Sequence, residues 1–209
     1  MTIFYSKTTG GFYDNQIHNV LPGDAVEITA EYHATLLAGQ AQGKTIMPGK
    51  DGKPVLAPLA PSHLHQWNGK EWMLDKAAAS QLLAEAIDNG TKSINDLVDE
   101  AYRHVTRFWP EYQLREQQAI EYKAGGYKGE LPTQVAAFAE PTGKGGKEAT
   151  EIILAQAAKL RATLEQLSIL RMKKLELKNL KTAAEVDKRA AEIVAAIQPH
   201  LHELEKVGK

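Results

Sequence analysis

Phe4-Tyr5-Ser6-Lys7-Thr8-Thr9-Gly10-Gly11-Phe12-Tyr13 sets two short aromatic runs on either side of a turn. A Gly-Gly pair between β-favouring residues supplies the positive φ angles of a tight hairpin. Aromatics facing each other across such a hairpin stabilise the sheet. The stretch therefore predicts an opening β-hairpin whose rings pack or bind.

The next residues extend a small β-rich domain. Pro22-Gly23-Asp24 makes a turn, and Ala25-Val26-Glu27-Ile28 alternates as a strand does. Thr29 is placed to cap a helix, with Glu31 in its first turn. Tyr32, Leu36 and Leu37 form its apolar face and Gly39 its stop. Thr45-Ile46-Met47 and Val55-Leu56 bracket a loop of turn residues at 48–52. Ala57-Pro58-Leu59-Ala60-Pro61 reads as an extended connector, because residues before proline avoid the helical region. In Gln66-Trp67-Asn68-Gly69-Lys70-Glu71-Trp72, Asn-Gly predicts a type I′ hairpin with aromatics on both arms.

Past Asp75 the pattern turns helical. Asp75 can cap a helix that Asn89-Gly90 closes. Ser93 and Asp96 have capping-box spacing before a stripe of Ile94, Leu97, Val98, Ala101, Tyr102, Val105 and Phe108. Pro110 suits the start of a further helix, from Glu111 to about Ala124. A short helix is expected from Thr133 to Ala139, with loops on either side. Residues 147–181 contain no proline or glycine, and Ile153, Ala157, Leu160, Leu164 and Leu167 follow coiled-coil spacing. One helix through this stretch would be roughly 50 Å long. Its seam lapses after Leu167, where Arg171 and Lys174 take the apolar positions. Thr182-Ala183-Ala184-Glu185 matches a capping box for a last helix that breaks near Pro199. The charged tail from Glu203 reads as frayed. The expected fold class is α+β: a β-rich domain at 1–75, then an all-α domain at 76–209. Its long helix pairs antiparallel with the last one, Leu160, Leu164, Leu167 and Leu170 facing Val186, Ile193 and Ile197 or a partner.

Composition narrows the function. With 25 Lys and Arg against 26 Asp and Glu, no overall charge draws the chain to nucleic acid or anionic membrane. No apolar run approaches a membrane span, and the first residues lack a signal-peptide pattern. The absence of cysteine excludes disulfides, thiolate zinc sites and a cysteine nucleophile. Pro141-Thr142-Gly143-Lys144-Gly145-Gly146 lacks P-loop spacing. His63 and His65 would share a strand face but have no third ligand, and His200 and His202 diverge on a helix. The cations Arg171, Lys173, Lys174, Lys178 and Lys181 are diluted by Glu165, Glu176, Glu185 and Asp187, so a solvated face is the simpler account. No catalytic constellation is present, and no metal or cofactor is expected. Tyr5, Phe12, Tyr13, Trp67 and Trp72 are the candidate partner-binding residues. They could instead be the core of a domain with few other large apolar side chains.

One resemblance rests on the order of these pieces. Phe4 to Tyr13, Ile17-His18, Pro22 to Ile28, Glu31-Tyr32, Leu36 to Gln40, Gly43-Lys44 and Asp51 to Val55 resemble the N-terminal part of tailed-bacteriophage tail fibre assembly proteins. The likeness covers about the first third of the chain, while the helical remainder departs from the family's shorter members. It implies a non-catalytic chaperone that binds a tail fibre near its C-terminal tip and assists trimer assembly. It also implies the bacterial host cytoplasm, with possible retention on the tail of a phage or phage-derived particle. The alternative is a structural tail component or carbohydrate-binding module using Trp67 and Trp72. Self-association through the long helix is compatible with either.

Overall fold

The computed structural model describes residues 2–207. The class is α+β, and the chain divides into two compact units, Met1–Leu82 and Leu83–Lys209.

In the first unit, β1 (Ile3–Ser6) is the centre of a three-stranded antiparallel sheet. Its neighbours are β2 (Phe12–Asp14) and β3 (Ala25–Ile28). The opening hairpin forms with Tyr5 opposite Phe12 and Phe4 opposite Tyr13. Its turn departs from expectation, since Gly10 alone takes a positive φ, of 68°. A five-residue connection, 7–11, relaxes the demand that a two-residue turn would place on both glycines.

Helix α1 (Ala30–Ala41) starts as expected, Thr29 Oγ1 accepting from Tyr32 N at 3.1 Å. It does not stop at Gly39. That glycine is buried inside the helix, and a Cβ there would lie 2.3 Å from Leu56 Cδ1. The C-cap is Gln42, followed by Gly43 at φ 86°. Gly39 therefore lets α1 sit close against β5 (Pro54–Ala57), which pairs with β4 (Thr45–Pro48). Leu37 also departs from the expected apolar face and is exposed, whereas Leu36 is buried with Ile3 and Ile28.

The tryptophan hairpin pairs β6 (Gln66–Trp67) with β7 (Trp72–Met73). Its connection is four residues, with Asn68 N donating to Glu71 O at 3.1 Å. Gly69 has φ 90° but Asn68 does not take a positive φ, so the turn is not type I′. Asn68 Oδ1 instead accepts from Lys70 N and Glu71 N, each at 2.9 Å. His63 lies in a turn and His65 in the irregular residue that follows it, not on a strand face, and Ser62 Oγ lies 2.7 Å from His65 Nδ1.

Helix α2 (Lys76–Thr106) begins with Asp75 Oδ1 accepting from Ala78 N at 2.8 Å. The unit boundary falls within it. It runs through Asn89-Gly90 without a break, and Asp96 pairs with Lys92 rather than capping anything. Gly90 lies where a Cβ would meet Ala190 Cβ at 3.0 Å and Leu177 Cδ1 at 3.1 Å. A glycine read as a stop is again a close-packing position.

Helix α3 (Trp109–Ala124) carries Pro110 in its first turn, as expected. Helix α4 (Thr133–Thr142) continues past Ala139 and contains Pro141, ending at Gly143 in the left-handed conformation. Helix α5 (Gly146–Met172) spans about 40 Å. The expected single helix ends there, because residues 173–179 form a 3-10 turn. With three residues per turn, positions 174, 177 and 180 align. Leu177 is buried, Leu180 half-buried, and Lys174 Nζ reaches Asn95 Oδ1 at 2.6 Å. The cation that the α5 seam would have carried inward is thereby paired with α2.

Helix α6 (Ala183–Val207) has the expected capping box. Thr182 N donates to Glu185 Oε2 at 3.0 Å and Glu185 N to Thr182 Oγ1 at 3.2 Å. Pro199 does not break it, and 203–207 continue the helix. The last two residues of the expected frayed tail lie outside the described residues.

Helix α6 runs antiparallel to α5 and the 3-10 turn after it, as Lys159 of α5 with Glu203 and Glu176 of the turn with Arg189 show. Leu160, Leu167, Val186, Ile193 and Ile197 are buried in one core. That core has a third wall absent from the expected pair: Ile94, Val98, Ala101 and Val105 of α2. A smaller cluster of Ala119, Val135, Ala139, Ala149 and Ile153 joins α3, α4 and the start of α5.

Candidate functional site

The candidate aromatics separate into two groups on the first unit. Strand alternation puts Tyr5 and Phe12 on one face of the hairpin, with ring centroids 5.3 Å apart. Tyr5 is wholly buried, and its hydroxyl has no hydrogen-bond partner. Burial, and then the nearby Asp24 carboxylate, push its ionisation above the usual tyrosine value. Phe12 is half-buried and stands edge-on to His33 at 4.5 Å. Tyr13 is half-buried on the other face, stacked edge-on against His18 at 5.2 Å, with its hydroxyl donating to Thr9 Oγ1.

Trp67 and Trp72 form the second group. They face each other across the β6–β7 pair at 5.3 Å and 64°. Trp67 Nε1 donates to Pro48 O at 2.7 Å and Trp72 Nε1 to Pro58 O at 2.8 Å. Both indole donors thus hold the hairpin to neighbouring main chain. The ring faces are half-exposed, and the mutual tilt presents no flat pair of rings.

Asp24 closes the sheet edge. Its carboxylate accepts from Ser6 Oγ at 2.7 Å, Thr8 Oγ1 at 2.8 Å and Thr8 N at 2.9 Å. The Ser6 hydroxyl first, then the two Thr8 donors, lower its pKa to about 2. The Asp in the Pro-Gly-Asp turn therefore anchors the residues that begin the 7–11 loop.

The most exposed large apolar side chains of this unit were not singled out from sequence. Ile17 is 73% exposed, Val20 83% and Leu59 68%. The first two sit in the irregular segment between β2 and β3, and Leu59 sits between prolines. Isolated apolar residues in loops carry no periodicity, so the available signal was their position among turn residues. Among the described residues no cluster of three or more metal-ligating side chains occurs, and no helix is long and apolar enough to cross a membrane.

Comparison with known proteins gives two phage relatives. The chain is 36% identical over 125 residues to an uncharacterized 23.3 kDa protein from the lys 3′ region of Haemophilus phage HP1, matching 60% of this chain and 62% of that protein. It is 35% identical over 100 residues to a protein of Shigella phage SfV described as a probable tail fiber assembly protein, matching 47% of this chain and 57% of that one. The chain thus spans about three-fifths of the length of each relative. No protein-family profile matches it, and no solved structure matches it. The chain is similar over part of its length to phage proteins, one of them named for tail fibre assembly.

Proposed function

We propose that this protein is a non-catalytic assembly chaperone for the tail fibre of a phage or phage-derived particle. The observation that carries the reading is the 35% identity to the SfV protein described as a probable tail fiber assembly protein. The exposed apolar side chains of the first unit support it physically. A chaperone works by covering apolar surface on a folding partner before that surface associates wrongly. Ile17, Val20 and Leu59, with the half-exposed rings of Phe12, Tyr13, Trp67 and Trp72, can supply such cover. Tyr5, being buried, contributes by holding the hairpin. The partner is the fibre near its C-terminal tip, met in the host cytoplasm.

Co-expression with the fibre encoded nearest to this chain tests the proposal. The yield of soluble trimeric fibre should rise severalfold in the presence of this protein. Equal yields with and without it would refute the reading. Ile17→Asp with Val20→Asp should reduce the gain while leaving the circular dichroism spectrum unchanged.

A further inference from the structure

Helix α5 carries a second seam, on the side away from the core. Leu160 and Leu167 point inward and are buried. On the outer side Ala155, Ala158, Ala162, Glu165, Ile169 and Met172 are all exposed. Their steps are three, four, three, four and three, the alternation of a coiled-coil contact. The stripe is about 27 Å long. Its first half holds small side chains. Its second half holds large apolar ones, Ile169 at 49% exposure and Met172 at 50%.

That division makes the stripe complementary to its own reverse. A second copy laid antiparallel, with its two-fold axis between residues 163 and 164, brings Ala155 opposite Met172, Ala158 opposite Ile169 and Ala162 opposite Glu165. Each large side chain then meets a small one, as close helix packing requires. A parallel pair would instead set Ile169 on Ile169, Met172 on Met172 and Glu165 on Glu165, and would leave a gap at the alanines. Sliding the antiparallel pair by one heptad puts Glu165 against either Ala155 or Ile169 and leaves the alanines or the large residues without their counterparts.

Charge selects the same register. Glu165 has no ion pair within the chain among the described residues. In the antiparallel pair it lies next to Arg161 of the second copy, the residue before Ala162. Arg161 gives Nη1 to Glu116 and, with its side chain 57% exposed, has further guanidinium donors for a second carboxylate. Each Glu165 is thus matched with a cation, and such complementarity fixes register more than it adds affinity. We infer that the outer face of α5 is an isologous docking surface for a second copy of this chain, antiparallel, with Ala158 against Ile169 across the two-fold. The inference does not depend on the fibre reading.

Sedimentation equilibrium of the full chain tests the association, and cross-linking tests the register. The parent should show a monomer–dimer equilibrium with a Kd of about 100 µM, as suits a contact below the standard interface size. Ala158→Glu keeps a good helix former on an exposed face but places a carboxylate against Ile169, and should weaken the dimer at least about tenfold. Met172→Glu should do the same and decides the matter if the first variant folds poorly. The chain has no cysteine, so introduced thiols report contacts cleanly. The double variant Ala158→Cys with Ile169→Cys should oxidise to a covalent dimer. Within one helix these positions are about 16 Å apart, beyond the roughly 7 Å between Cα atoms that a disulfide spans. Ala158→Cys alone and Ile169→Cys alone should stay largely monomeric on oxidation, since in the antiparallel pair each is equally far from its own copy. A parent that is monomeric at about 500 µM overturns the inference. So do undiminished association in both Glu variants, failure of the double variant to cross-link, and single-thiol variants that cross-link as readily as the double one.

Discussion

Gly90→Ala should destabilise the helical unit, although an exposed glycine inside a helix normally gains about 1 kcal/mol from this change. The reason is local. A Cβ at position 90 would sit 3.0 Å from Ala190 Cβ and 3.1 Å from Leu177 Cδ1. Leu177 can rotate its methyl group by a few tenths of an ångström. Ala190 Cβ is fixed to the α6 backbone, so relief there means moving α6 away from α2. Inserting a methyl into a packed contact of this kind costs about 1–3 kcal/mol. Subtracting the propensity gain leaves a net loss of roughly 0–2 kcal/mol, with a central value of about 1 kcal/mol. Urea unfolding followed at 222 nm should show the loss as a lower midpoint with an unchanged slope. A double-mutant cycle with Ala190→Gly isolates the contact. The two changes should couple favourably by about 1 kcal/mol, because the second removes the atom that the first collides with. A rise in stability for Gly90→Ala alone, with additive behaviour in the double mutant, would refute the close-packing account.

Further outcomes follow from the caps and clasps. Thr182→Ala removes the hydroxyl that accepts from Glu185 N and should cost about 1 kcal/mol in the same urea assay, with hydrogen exchange quickening first at the start of α6. The Asp24 carboxyl titrates near 2, below its ordinary 3.8, so its stabilising effect is complete above about pH 4 and is lost as pH falls toward 2. Asp24→Asn should lower stability at neutral pH and flatten the acid limb between pH 4 and 2, read from near-ultraviolet circular dichroism of the first unit. Trp67→Phe keeps a ring opposite Trp72 but leaves Pro48 O without its donor, and should cost about 1 kcal/mol. Equal stability of the Phe variant would show that the indole hydrogen bond contributes nothing to the hairpin.

Features set by near neighbours could be read from the chain alone. The hairpin at Phe4 to Tyr13, the Thr29 and Asp75 caps and the Thr182–Glu185 capping box each need only a few residues to be in range. The split between a strand-rich beginning and a helical remainder was legible from hydrophobic period. The candidate aromatics were legible as rings in hairpins, but their roles were not. Strand alternation alone does not say which face of a three-stranded sheet is covered, and it is covered where Tyr5 lies. Long-range packing also sets the meaning of glycine. Gly39 and Gly90 carry the same local signal as a helix stop, yet each marks the place where another element comes close, Leu56 in one case and Ala190 in the other. Similarly, α5 stops at Met172 without a proline or glycine, because the side chains beyond it must reach Asn95 and the α2–α6 core. Local chemistry permits both continuation and arrest at such points. The choice belongs to contacts between residues distant in the chain, which no short window of sequence contains.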